Sequence, residues 1–343
     1  MLEVPQWLAR LPKAELHLHL EGSLEPQTAL ELAHRNGQHE ETLARVQRRY
    51  AYRNFLGFLL AFKWVSEQLQ QPADYAFLLH ELLRRLHAQN VLYAEITLAA
   101  GVVLWKRQDL DAIFVALREE YQRARPQFPV EVRWVFDAVR NFGPQHVLDV
   151  ARRAITWKDA GVVAFGIGGD ERAAPPALFR EAFDLVRAAG LHVTVHAGET
   201  AGPESIWGAL RVLGAERLGH ALAAFRDPEL LDYLTRAQIP LEVCLESNRR
   251  TGALRLHCGT DDLAAHPLAN FYRRGLRGTL NTDDPGLFAT SLNEEYARAL
   301  QLGLSREDLI SIARTAFESA FCPPAERRAL LARFAAGVAA LKT

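Results

Sequence analysis

The sequence predicts an α/β fold, a (β/α)8 TIM barrel with a helical insertion after the first strand and extra helices at its C-terminal end. Three observations predict it. Short apolar or β-branched runs alternate with amphipathic helical stretches along most of the chain, the runs number eight, and titratable residues gather at the C-terminal ends of several of them. Repeated βα units in that number are what a closed parallel barrel requires.

The runs expected as strands are residues 14–20, 91–98, 130–139, 162–167, 191–196, 217–220, 241–245 and 278–281. Between them, residues 109–125, 176–189, 227–236 and 266–274 have the apolar spacing of helices packed on a sheet. Residues 25–90 are far more than one crossover helix needs and include the aromatic-rich run FLGFLLAFKW. They are expected to form a helical insertion over the barrel mouth. After the eighth strand, residues 294–302, 306–316 and 324–341 should form helices that cover the outside. A length of 343 residues would also suit two average domains, but α/β barrels commonly exceed about 200 residues as one unit. No repeat, low-complexity tract or Gly/Ser linker marks a boundary, so one domain over 1–343 is expected.

Composition narrows the function. Hydrophobic residues make up 49% and charged residues 24%, enough for a large core with a solvated surface. The net charge of −1 and the absence of a dense Lys/Arg run make nucleic acid a poor partner, and a small-molecule substrate a better one. The N-terminal residues lack a signal-peptide layout, and no apolar run approaches the roughly 18 residues of a membrane span. A cytoplasmic protein is therefore expected, with no membrane partner. The cysteines, Cys244, Cys258 and Cys322, are odd in number and form no C-x-x-C pair, which argues against a structural zinc knuckle.

The chemistry begins in the first strand, with KAELHLHLEG at residues 13–22. Side chains alternate faces along a strand, so His17 and His19 project the same way with Cα atoms roughly 6.5 Å apart, within reach of one metal ion. A pair like this also arises by chance and needs company. His196 and, after a turn, Glu199 end the fifth strand; His220 ends the sixth; Asp283 and Asp284 end the eighth. In a barrel these ends share one pocket. Taken singly, His220 would suit a hydrogen-bonded core position and the Asp pair a helix N-cap. Together, His17, His19, His196 and Asp283 make a plausible open zinc site, three imidazoles and a carboxylate with room for water. Two-metal barrels often place a modified lysine at the end of the fourth strand. Here that end reads FGIGGDE, without lysine, which favours one zinc per chain. Its Gly pair lets a flat ligand lie against the backbone.

In order along the chain, PKAELHLHLEGS, GIGGDE, HAGET, RLGH, SNRRTGA, HP and NTDDPGLF resemble the adenosine deaminase family over nearly the whole length. The resemblance implies zinc-dependent hydrolytic deamination of a 6-aminopurine nucleoside to the 6-oxopurine and ammonia. By position it implies that His17, His19, His196 and Asp283 bind zinc and Glu199 is the proton donor. His220 and Asp284 would act on the water and the purine, and Gly169 would contact the base, with His19 and Glu21 bordering the substrate. Adenosine-specific members usually carry Asp at the position of Glu21 and a Cys-Pro start where this chain has Cys244-Leu245. FKWVSEQL and YAEITLAAGVVLW look like the branch that deaminates aminodeoxyfutalosine, a menaquinone precursor with a carboxyphenyl ketone on the nucleoside. Arg172, Lys63 or Arg249 could then meet the tail's charge. Adenosine or adenine deamination in purine salvage is the alternative. A two-metal amidohydrolase and a non-catalytic purine-binding barrel are the other readings the residues leave open.

Overall fold

Eight parallel strands follow one another in sequence order in this computed structural model, which describes residues 2–341. They are β1 (Lys13–His19), β2 (Val91–Leu98), β3 (Glu131–Val139), β4 (Val162–Gly168), β5 (His192–Ala197), β6 (Arg217–His220), β7 (Leu241–Val243) and β8 (Gly278–Leu280). Met1 and residues 342–343, the ends of the expected 1–343 unit, lie outside the described residues.

The ring meets itself between β8 and β1. Leu18 and Asp283 form a parallel bridge there. The His19 N–H donates to the Asp283 carbonyl at 2.7 Å and the Asp283 N–H to the His17 carbonyl at 3.0 Å. Lower on the seam, side chains substitute for missing ladder bonds: Asn281 Oδ1 accepts from the Leu16 N–H and Glu15 accepts from the Thr282 N–H, both at 2.9 Å. This seam carries the eighth strand's aspartate to the two histidines of the first.

The barrel wall is buried on both faces, as helices outside and packed side chains inside demand. Its interior includes an ionic layer. Arg217 of β6, 1% exposed, lies between Glu95 of β2 and Glu242 of β7, and its Nε donates to Glu242 at 2.7 Å. Such a cation needs both carboxylates to offset its desolvation.

Two expectations shift. The helical segment over 25–90 divides in function. Pro72–Ala88 packs against β2 and the helix Leu110–Ala124, so it is the crossover helix; the insertion proper is Pro26–Arg35, Leu43–Arg49 and Phe55–Gln68. Phe55–Gln68 starts at Asn54, whose side chain accepts from the Gly57 N–H. Strand β7 ends at Val243 rather than residue 245, because the helix Leu245–Arg250 begins at once and buried Glu295 accepts its first N–H groups at 2.8 and 3.2 Å. After β8, Leu292–Gln301, Arg306–Glu318 and Pro324–Ala339 form the expected helices, the second of them covering β8 and β1. Among the described residues, no helix is long and apolar enough to cross a membrane.

Candidate active site

His17 and His19 leave β1 on one face, as strand alternation requires. His196 comes from β5 and Asp283 from the β8 seam, and one ligand atom from each of the four lies within 4.8 Å of all the others. His19 Nε2 and His196 Nε2 stand 3.3 Å apart, and Asp283 Oδ1 is 3.3 Å from both His17 Nε2 and His19 Nε2. His17 Nδ1 is 2.8 Å from Glu242 Oε2. A carboxylate accepts, so Nδ1 carries the proton and the Nε2 lone pair faces the cluster. Nε2 is buried with no hydrogen-bond partner.

That orphaned nitrogen and the donor set around it fit a divalent, zinc-like ion. Electrostatics agree. Burial works against a charge on His17, yet the neighbouring Asp283 carboxylate and the hydrogen-bonded Glu242 hold its pKa well above the usual imidazole value. Burial pushes His19 down to about 4 and His196 well below the usual value, keeping both as neutral donors. The pocket therefore favours one positive charge at its centre, and a metal there would displace the proton from His17. A second grouping, His220 with Cys244 and Asp283, shares the same aspartate.

Beside this cluster, the turn 198–200 is built on Glu171. Its carboxylate accepts the N–H groups of Gly198, Glu199 and Thr200 at 2.6, 2.8 and 2.7 Å. This holds Glu199 in the site, with its Oε2 3.6 Å from His220 Nε2. Burial, reinforced by the charges of Asp283 and Glu171, pushes the Glu199 pKa well up. The Asp284 carboxyl is raised for the same first reason and by adjacent Asp283, and its Oδ1 is buried without a partner. Asp284 precedes the short helix Pro285–Phe288 without capping it, so the N-cap alternative for the pair fails for this residue. His220, Ala221 and Asp283 adopt left-handed φ angles of 61°, 51° and 64°. Non-glycine residues adopt such angles at a cost, and here the strained backbone sits where two site side chains are presented.

The glycine of the opening motif has a steric reason. A Cβ on Gly22 would lie 1.5 Å from Asp284 Oδ1, so any side chain would evict that carboxyl. Gly169, at φ +90°, would press a Cβ to 2.6 Å from Asn141 Oδ1.

Around these groups is a cavity of about 310 Å³ lined by His19, Gly168, Gly169, His196, Glu199, His220, Asp283 and Asp284. Its outer wall is apolar: Phe55, Phe58, Leu59 and Phe62 from the insertion face Val102, Trp105 and Phe142. Of the cations expected near a substrate tail, Lys63 lines this mouth. Arg172 lies at a neighbouring pocket that shares Phe55 and Glu199 with this cavity, and it pairs with Asp170, while Arg249 pairs with Glu246. Glu21 is behind the wall, 1% exposed, with both oxygens 3.2 Å from the Ala99 N–H, and burial pushes its pKa up to about 7. It positions cavity-lining Ala99 instead of lining the cavity itself.

Sequence reasoning assigned no role to Glu242, Glu171, Asn248 or His266. An acidic residue inside the apolar run LEV was a signal for the first; the others lie in the motifs GIGGDE, SNRRTGA and HP, which carried the resemblance without giving these residues a role.

The sequence profile of the adenosine deaminase family matches residues 12–336. An aminodeoxyfutalosine deaminase of Streptomyces avermitilis is 36% identical over 338 residues, covering 96% of this chain and 92% of the relative. An adenine deaminase of Rhizobium meliloti is 35% identical, covering 94% of this chain and 98% of the relative. An amidohydrolase of Burkholderia ambifaria solved with bound zinc superposes with a TM-score of 0.87 at 25% identity, covering 99% of this chain and 95% of that one.

Proposed function

This chain belongs to the adenosine deaminase family of metal-dependent hydrolases, and from that premise we propose that it deaminates aminodeoxyfutalosine with one zinc ion per chain. It is a hydrolase of adenine-type substrates. The choice among them rests on the aromatic mouth: Phe55, Phe58, Phe62, Trp105 and Phe142 offer stacking surface beyond the purine position, with Lys63 at the rim. An aryl ketone tail ending in a carboxylate would fill that space, whereas adenine would leave it empty. The Streptomyces relative supports this reading; the Rhizobium relative keeps adenine or adenosine as the alternative.

In this reading His17, His19, His196 and Asp283 hold the ion, the rest of 1–343 serving as one unit around it. When bound, zinc lowers the pKa of its water toward about 7 and so supplies a nucleophile at neutral pH. The chain's own residues do the rest. Attack at C6 builds negative charge on N1 of the ring, and neutral Glu199, kept protonated by burial, donates its proton there. Asp284, also neutral, donates to the acceptor N7, and the Gly169 N–H meets N3, which together fix the ring's face. His220 orients the attacking water. The proton of the hydroxyl added at C6 passes to the 6-amino group, which leaves as ammonia, and a 6-oxopurine remains.

Glu199→Gln should keep its metal and lose about 10²- to 10⁴-fold in kcat; full turnover in that variant would remove Glu199 as the acid. Substrate choice is tested by following the ultraviolet shift of the zinc enzyme with adenine, adenosine, S-adenosylhomocysteine and aminodeoxyfutalosine. A preference for adenosine or adenine by orders of magnitude would overturn the choice, and metal analysis giving two ions per chain would overturn the single-zinc site.

A further inference from the structure

His220 has a buried line of partners behind it that fixes where its proton sits. The Leu268 N–H donates to His266 Nδ1 at 3.1 Å, so that nitrogen bears a lone pair. A neutral imidazole then carries its proton on Nε2, which lies 3.1 Å from Asn248 Oδ1 and donates to it. With its oxygen so engaged, Asn248 presents its NH₂ to His220 Nδ1 at 3.0 Å. Reversing the amide would face the Asn248 NH₂ toward a His266 Nε2 that already bears a proton, so the orientation is determined from the backbone outward. All three side chains are at most 5% exposed, and no competing solvent contact is needed to satisfy them.

We infer that Asn248 and His266 are positioning residues that lock His220 as the neutral Nε2–H tautomer. The inference rests on the deaminase reading for its consequence. Nε2 faces the cavity, 3.6 Å from Glu199 Oε2 and 3.8 Å from Asp283 Oδ2. A nitrogen that already bears hydrogen cannot remove a proton from water. His220 therefore donates a hydrogen bond to the attacking oxygen, orienting its lone pair toward C6 and stabilising the negative charge it carries. The proton lost by the water goes to the Glu199 carboxylate, restoring the one that Glu199 gives to N1.

The test reads the tautomer directly. In zinc-loaded protein labelled with ¹⁵N-histidine, the His220 signals, assigned by their loss in His220→Asn, should show Nε2 protonated and Nδ1 unprotonated at pH 7. An Nδ1–H tautomer or an imidazolium in the unmodified enzyme overturns the inference, whatever substrate the enzyme takes. Asn248→Asp then replaces the donor behind His220 with an acceptor while leaving an oxygen for His266. It should shift the His220 proton to Nδ1 and lower kcat by about 10²-fold, as loss of one preorganised donor does, with KM and zinc content little changed. Retention of the Nε2–H signal, or unaltered kcat, would reject the assignment of Asn248. His266→Phe should leave Asn248 free to turn and give a mixture of both His220 tautomers; a single unchanged tautomer would remove His266 from the relay. Absence of turnover on every adenine-type compound would instead defeat the deaminase reading and leave the tautomer result standing.

Discussion

His17 at the end of β1 and His220 at the end of β6 face the same cavity with ring centroids 5.1 Å apart, yet they present opposite chemistry to it. Behind His17 stands the Glu242 carboxylate, which accepts a hydrogen bond from Nδ1–H and so turns the Nε2 lone pair inward. Behind His220 stands the Asn248 amide, whose NH₂ donates a hydrogen bond to the Nδ1 lone pair and so turns the Nε2–H inward. In the proposed roles, one residue type thus serves as a metal donor on one side and a hydrogen-bond donor on the other. The residue behind the ring decides, so a histidine's role cannot be assigned from its position at a strand end alone.

The contrast can be broken most severely on the metal side. Glu242→Gln keeps the shape but weakens the pull on the His17 Nδ1 proton, and zinc affinity should fall about 10- to 100-fold in a chelator competition. The proton-side change Asn248→Asp should leave that affinity intact; if both variants lose zinc alike, the two halves of the site are not separable. The proton side is sharpened by pH. In the proposed reaction Glu199 must carry its proton to donate it, and its pKa is raised, so ionisation of this group should not lower kcat/KM at neutral pH. That ratio should then fall about tenfold per unit as pH rises through that pKa. A decline that begins in the ordinary carboxylate range would mean that Glu199 enters ionised. The smallest effect lies outside both halves. The Lys63 side chain is 59% exposed and stands 3.5 Å from Glu67. Lys63→Ala should therefore raise KM for a carboxylate-tailed substrate by no more than about fivefold and leave adenosine kinetics unchanged. An equal effect on both substrates would remove Lys63 from tail recognition.

The site was partly legible before folding because its groups lie at strand ends, where an apolar run stops and a polar residue stands out. That signal marked His17, His19, His196, His220 and Asp283. It did not mark Asn248 or His266, which lie on a helix and before one, away from the strand ends. Glu21 came from the family resemblance and not from that signal, and the turn Glu21–Ser23 carries its carboxylate onto the Ala99 N–H behind the wall. The boundary of β7 was missed for a similar reason: the cap that starts the next helix is Glu295, fifty residues further along.

By itself the sequence determined the alternation of eight strands with helices, because periodicity is a local property that each segment carries. It also determined which residue types stand at the strand ends, and thus the chemistry they could supply. Only the tertiary structure decided which ring nitrogen holds a proton, since Glu242 is 225 residues from His17 and Asn248 is 28 from His220. It decided too that Asp283 meets the first strand, through a seam that exists only when the ring closes. Hydrogen-bond sense and convergence belong to pairs of groups in space, and a linear pattern specifies the groups without specifying the pairs.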